Sequence, residues 1–403
     1  MKYTYFRSKN FRNLKEFEFN PHPRVNIFLG LNGQGKTNLI EAFYLASQGE
    51  TFRFGEMTDL VQHQSSQALI QLKMEKNELE DRIHFHIDHG KKNIFLNGKK
   101  TSSQKVQEKY NCVVFSPESL QSIKEGSEQR RILIDDLIKS IYPQRNQQIQ
   151  DFKRLLKTRN KVLKEIKEEK FPRDQLLEVL ESLQPQFFKA AVEYTTIRLR
   201  MIHEIQQTFN HSMEQISAKG KSVEIKSATL RYSISGENAT HWTAEEVMDA
   251  LKKRHQELHL AEMASGLSLY GPQRHDLQFL YDEKDSRIFC SQGQQRALIL
   301  AFKMAQIVYH YKVRESYPIL MLDDVLSELD QEKRQALITF LHSIQAQTFI
   351  TSTDLHLSEN FPDLNLSVFT VNRGTIVRQK NDSEKQYLFN KSQLESVELE
   401  PTQ

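Results

Sequence analysis

Residues 28 to 42 read FLGLNGQGKTNLIEA, and no other stretch limits the possible folds as strongly. Only 14 of 403 residues are glycine, yet Gly30, Gly33 and Gly35 fall within six positions, directly before Lys36 and Thr37. Val25, Ile27, Phe28 and Leu29 form an apolar run that ends at a glycine, which predicts a buried strand. Leu39, Ile40, Phe43, Tyr44 and Leu45 recur at helical spacing. Strand, glycine-rich turn and helix is the setting in which G-x-x-x-x-G-K-T cradles phosphate: glycines let backbone N–H groups converge on the oxygens, and the helix N-terminus adds its positive dipole end. The expected nucleotide-binding residues are therefore Gly30, Leu31, Asn32, Gly33, Gln34, Gly35, Lys36, Thr37 and Asn38. Lys36 would reach the β- and γ-phosphates of ATP, and Thr37 would ligate Mg2+.

A phosphate loop needs a second magnesium partner and a group that orients water. In PILMLDD, residues 318 to 324, four apolar residues run into two carboxylates. A buried strand would deliver Asp323 to the metal beside the loop and leave Asp324 to face the attacking water. Between the two motifs lies SQGQQR, Ser291 to Arg296, followed by Ala297, Leu300, Ala301 and Met304 at helical spacing. A serine and a glycine at a helix start also describe an ordinary capped helix. The order phosphate loop, SQGQQR, paired carboxylates and then SELD, Ser327 to Asp330, resembles ABC-type ATPases and decides against that plainer reading. The resemblance assigns Ser291, Gly293 and Gln294 to the signature motif, which acts on the nucleotide of a second subunit.

Composition sets the remaining bounds. Hydrophobic content of 38% and charged content of 27% describe a water-soluble globular chain. No apolar run approaches the roughly 20 residues that span a bilayer, and the first residues lack the apolar core of a signal peptide, so a cytoplasmic location without membrane contact is expected. Cys112 and Cys290 have no metal-ligand spacing and read as free thiols. The net charge of +3 is too small to imply nucleic-acid binding. The segment from Lys153 to Lys170, KRLLKTRNKVLKEIKEEK, concentrates eight basic residues against three acidic ones on a helical pattern. On its own it reads as a solvated helix face with i,i+4 charge pairs.

The first hundred residues read as β-rich: Phe17 and Phe19 alternate with glutamates, Ile83, Phe85 and Ile87 alternate with histidines, and Asn97-Gly98 marks a hairpin. From about Ser127 to Gln215 long charged helices follow, bent at Phe171 to Asp174. Residues 218 to 242 look polar and strand-like, and a capping box from Thr243 to Glu246 starts another helix. After Gly266 strands and helices alternate again, and the last two dozen residues, from Lys380, are polar and expected to be poorly ordered. The fold class is thus α/β, an ABC-type ATPase head with a mixed sheet and a P-loop core. Its lobe comprises residues 1–125 and 262–403, with an inserted, mainly helical lobe at 126–261.

The resemblance extends further. NFRNLKEFEFNP, GLNGQGKTNLIEAFY, TFRF, VVFSPESLQSIKEGSEQRRILIDD, LLKTRNKVLK, GPQRHDL, SQGQQRALILAFKMAQ and PILMLDDVLSELD follow the pattern of the RecF family of bacterial recombination-repair ATPases over nearly the whole chain. That resemblance implies a short helical arm, ATP-dependent head-to-tail homodimerisation, DNA binding at single-strand gaps, slow ATP hydrolysis, and cooperation with RecR and RecO in loading RecA during DNA damage and the SOS response. It makes Arg12 and Asn13 candidate nucleotide contacts, with Arg53 a lesser one, and Lys157, Arg159, Lys161 and Lys164 candidate DNA contacts. Gln273 and His275 depart from the family's usual G-P-H-R-D-D-L. Two other classes compete. A membrane transporter's nucleotide-binding subunit would carry a switch histidine, where this chain has TSTD at Thr351 to Asp354. An SMC/Rad50-like structural ATPase needs hundreds of heptad residues between the motifs.

Overall fold

The computed structural model describes residues 1–53, 55–217, 227–361 and 366–379. The strands in the first third are β1 (Lys2–Lys9), β2 (Phe17–Phe19), β3 (Val25–Leu29), β4 (Gln67–Lys76), β5 (Leu79–Asp88), β6 (Lys91–Leu96), β7 (Lys99–Thr101) and β8 (Cys112–Phe115). Later come β9 (Ala228–Ile234), β10 (Glu237–Asn238), β11 (Asp276–Tyr281), β12 (Lys284–Asp285), β13 (Ile319–Asp323), β14 (Thr348–Ser352), β15 (Leu366–Asn372) and β16 (Thr375–Arg378). The helices are α1 (Lys36–Gln48), α2 (Ser103–Lys109), α3 (Pro117–Leu120), α4 (Ser127–Ile141), α5 (Asn146–Lys167), α6 (Arg173–Ser217), α7 (Ala244–Ser265), α8 (Ser286–Phe289), α9 (Gln292–Arg314) and α10 (Gln331–Ser343).

The central sheet has the order β16-β15-β3-β14-β13-β8, parallel except for the β16 edge. β3, β13 and β14 are buried at every residue, polar Asn26, Thr348, Thr351 and Ser352 included, as strands covered on both faces are. A second, antiparallel sheet runs β2-β1-β4-β5-β6-β7. α1 packs between the two sheets, with Phe6, Phe19, Phe28, Phe43, Phe349 and Phe369 interlocked around it at ring separations such as 4.3 Å for Phe6–Phe43 and 4.6 Å for Phe43–Phe349. α1 cannot shift without disrupting this cluster, so the loop at its start is held rigidly.

Residues 127–265 supply the helices of the inserted lobe. The break between α5 and α6 covers residues 168–172, overlapping the expected bend only at Phe171 and Pro172, and Thr243 and Glu246 cap each other across the start of α7. Part of the expected strand-like region, residues 218–226, lies outside the described residues, as do Phe54 and the tail from Lys380. The rest of that region forms β9 and β10, in a small sheet of order β10-β9-β11-β12. β11 pairs along its whole length with β9, so strand pairing crosses the expected boundary at 261/262. We propose drawing that boundary after β12, because Phe279 on β11 packs edge-on against Phe209 of α6. α9 is enclosed on nearly all sides from Ala297 to Ile307 and joins the two lobes. No helix among the described residues is long and apolar enough to cross a membrane. Cys112 is a free thiol.

Candidate functional site

β3 hands the chain to the phosphate loop at Gly30, where even a methyl group would sit 2.4 Å from the Val371 carbonyl oxygen of β15. Gly33 and Gly35 take φ of 78° and 107°, the region that lets successive N–H groups turn inward. Lys36 is buried, and its ammonium donates to the carbonyls of Gly30 (2.7 Å) and Leu31 (3.0 Å). Burial lowers its pKa, opposed by the nearby Asp324 and Asp323 carboxylates. Leu31 is 60% exposed at the loop's outer edge, beside exposed Asn32. Gln34 is held from far along the chain: its side-chain oxygen accepts from the Arg373 N–H (2.6 Å) and its carbonyl from the Gly374 N–H (2.9 Å). The β15–β16 turn therefore braces the loop, a contact across more than 330 residues that no local signal in the sequence announces.

The strand order brings the two halves of the expected metal site together. Thr37 donates its hydroxyl to Asp323 Oδ1 at 3.1 Å, and Thr351 at the end of β14 donates to the same oxygen at 2.8 Å. Burial raises the Asp323 pKa, and those two hydroxyl hydrogen bonds partly offset it. A buried carboxylate supported only by hydroxyls, next to a phosphate loop, suits a hard oxygen-seeking cation such as Mg2+. The residues present thus fit the metal that the motifs imply. Asp324 takes φ 51° and leaves the strand; its N–H donates to Thr351 Oγ1 (2.9 Å), and Ser327 donates to its carbonyl (2.6 Å) and to Oδ1 (3.1 Å). Thr351 thus holds the Asp323 carboxylate and the backbone of Asp324, a role that its position in TSTD did not reveal. Glu118, just past β8, lies close enough to raise the Asp323 pKa further. β8 runs beside β13 with Phe115 level with Leu322, which explains that proximity.

Asn13 reaches the loop: Asn38 donates to its side-chain oxygen at 2.8 Å, and Arg53 donates to Asn38 Oδ1 at 3.1 Å. Arg12 is committed elsewhere, with Nε and Nη2 each donating to the fully buried Glu41 carboxylate at 2.8 Å and Nη1 to the Asp59 carbonyl at 3.2 Å. Ser291 caps α9, accepting from the Gln294 N–H (3.3 Å) while Gln294 Oε1 accepts from the Ser291 N–H (2.8 Å). Ser291 and Gln294 are exposed, and none of their hydrogen-bond partners among the described residues belongs to this chain's own phosphate loop. Arg296 ties the same turn to Glu328 in SELD at 2.9 Å.

The arm requires one correction. Lys157, Lys161 and Lys164 are exposed, with loose pairs to Glu165 (3.8 Å, from Lys161) and Glu168 (3.6 Å, from Lys164). Arg159 is 1% exposed and cannot touch DNA. Its guanidinium grips Glu262 of α7 at 2.9 and 2.7 Å and donates to Ser268 Oγ (2.7 Å) and the Tyr270 hydroxyl (3.1 Å). The phase of the helix could have exposed this: Arg159 lies seven residues from both Phe152 and Ile166 and three and four from Val162 and Leu163, so it shares the apolar stripe. His275 is likewise buried, and Gln273 is half-buried. Gln273 donates to the Tyr270 carbonyl (2.7 Å), and burial pushes the His275 pKa down to about 3, so its ring stays neutral between Arg198 and Arg131.

A mixed sheet with a phosphate loop at the end of one buried strand, paired carboxylates at the end of another and a capped SQGQQR helix in the same lobe defines a nucleotide-binding head of the ABC/SMC class. The sequence model described as "RecF/RecN/SMC N terminal domain" matches residues 4–377. The chain belongs to the RecF family: it is 32% identical over 353 residues to the "DNA replication and repair protein RecF" of Lactobacillus johnsonii, covering 87% of this chain and 92% of the relative. With the protein of the same description from Clostridioides difficile it shares 30% over 392 residues, covering 94% and 99%. A solved structure described as "recombination mediator protein RecF-ATP in RecFOR pathway" superposes with TM-score 0.81 at 27% identity, covering 94% of this chain and 97% of that one. An SMC head bound to the C-winged helix domain of ScpA gives TM-score 0.55 at 14% identity, covering 95% and 98%, which is a likeness of fold alone.

Proposed function

We propose that this chain is an ATP-dependent DNA-binding protein of replication and recombinational repair, which binds ATP with Mg2+ at the phosphate loop and dimerises head to tail. The observation that carries this reading is the contact of Thr37 with Asp323, which joins two motifs 286 residues apart into one oxygen-rich pocket beside Lys36. Bound Mg2+ would draw charge from the phosphates; Thr37 and Asp323 would hold it. Lys36 binds the β- and γ-phosphates, and Asp324 orients water. Ser291, Gly293 and Gln294 complete the site of the opposite subunit. Leu31 at the phosphate loop and Ile288 (73% exposed) and Phe289 (64%) beside Ser291 offer apolar contacts for such a dimer. In this reading the dimer holds gapped DNA in the cytoplasm and works with RecO and RecR to place RecA.

Hydrolysis is slow on this account, because an aspartate reaches less far than a glutamate would toward the water and one of its oxygens is shared with Ser327. Asp324→Asn should bind ATP and dimerise while cleaving pre-bound ATP far more slowly than wild type; Asp323→Asn should weaken the Mg2+-dependent bound state as well. A single-turnover assay decides it. If Asp324→Asn cleaves at the wild-type rate, the water-orienting role belongs to another residue.

The exposed row on α5 supports a DNA contact through Lys157, Lys161 and Lys164. Reversing the three charges should flatten the salt dependence of DNA binding, with the log-log slope changing by about 0.9 for each duplex phosphate that is no longer neutralised. ATP affinity should not move. An unchanged salt slope would return this face to the role of a solvated surface.

A further inference from the structure

One unassigned feature of the inserted lobe is a groove of about 520 Å3 where the α4–α5 connection, the middle of α6 and the start of α7 meet. That volume lies within the usual range for ligand pockets, about 300–1,000 Å3. Its floor is apolar, formed by Val192, Ile197 and Met201 with the ring of Tyr142. Several of its polar groups have bonding capacity left, although the Tyr142 hydroxyl donates to Glu204 at 2.8 Å. Among the described residues the Arg145 guanidinium has no hydrogen-bond or ion-pair partner. Arg200 gives only Nε to Glu204, at 2.7 Å, leaving its terminal nitrogens available. The Gln148 side-chain oxygen is buried without a donor. Ala244, the first residue of α7, closes one end; the start of that helix is already capped by Thr243 and Glu246 and offers no free positive end. Among the described residues Glu193 is the one carboxylate on the lining.

We propose that this groove binds the carboxyl-terminal residue of a partner protein whose last side chain is apolar. The three parts of a chain end match the three parts of the groove. The terminal carboxylate meets Arg145 and the terminal nitrogens of Arg200, the final side chain fills the floor, and the last backbone N–H supplies the donor that Gln148 lacks. A side-chain carboxylate or a free anion would satisfy only the first of these. The groove involves none of the nucleotide-binding residues, so this inference and the ATPase reading stand or fall separately.

The test uses the full-length chain and fluorescein-labelled Gly-Ser-Gly-Leu-Phe with a free carboxyl terminus, read by fluorescence anisotropy. The same peptide as its terminal carboxamide is the control. Saturable binding of the acid is expected, weakened roughly tenfold or more in the amide and in Arg145→Glu, the size of one charge-assisted hydrogen bond. Ala244→Trp, which fills the groove, should remove binding, and both variants should keep wild-type ATP affinity as proof of folding. The proposal is overturned if acid and amide bind alike, if Arg145→Glu binds as wild type does, or if no saturation occurs at millimolar peptide. Displacement of the peptide by 3-phenylpropanoate at equal affinity also overturns it, since the site would then recognise small apolar acids rather than a chain end.

Discussion

Lys36→Ala is expected to leave the protein folded and unable to bind ATP. The ammonium spans a loop whose two carbonyls, Gly30 and Leu31, it now bridges, and the same nitrogen would move onto the β- and γ-phosphates when nucleotide enters. Charge-assisted hydrogen bonds are worth about 1.5–3 kcal/mol each, so losing two removes roughly a hundredfold or more in affinity. Folding should survive, because α1 is anchored by its aromatic cluster rather than by Lys36. Calorimetric titration with ATP and Mg2+ is the check, and wild-type affinity in the variant would mean that the loop does not hold the nucleotide.

Arg159→Ala should cost far more stability than any surface substitution on the same helix. Arg159 and Glu262 are each 1% exposed, and the guanidinium also stacks over Phe187 and Tyr270, with its carbon 5.0 Å from each ring centre. Removing it strands a buried carboxylate, which typically costs about 3–5 kcal/mol. Urea denaturation should show the loss, and Arg159→Leu combined with Glu262→Leu should recover much of it, because the stranded charge is then gone. A single Arg159→Ala variant as stable as wild type would contradict the assignment. Lys157→Ala, two residues away and exposed, should change stability by less than about 0.5 kcal/mol.

What the sequence makes legible follows from locality. The phosphate loop, the strand ending at Asp323, the capping boxes at Thr243 and Ser291 and the bend at Phe171 are each written within a few residues, and each local pattern has one physical outcome. Bonds between distant segments are not readable in this way. Thr351 looks like an ordinary strand residue until β14 settles beside β13; Gln34 gives no hint that Arg373 and Gly374 will hold it; and Glu41 on α1 does not announce that it will claim Arg12. Arg159 shows a third case, in which composition hides what phase contains: eight cations in eighteen residues read as one basic face, although helical geometry turns one of them inward.

The most direct test of the central claim, that each active site is shared between two chains, is the mass of the Ser291→Arg variant in solution. Ser291 is exposed and caps its own helix without touching its own phosphate loop, so an arginine there should leave ATP binding to the single chain nearly intact. Sedimentation velocity with ATP and Mg2+ should take the wild type from 47.3 kDa to about twice that mass, while Ser291→Arg binds ATP and stays at the single-chain mass. A variant that binds ATP and doubles its mass as the wild type does would contradict the shared site.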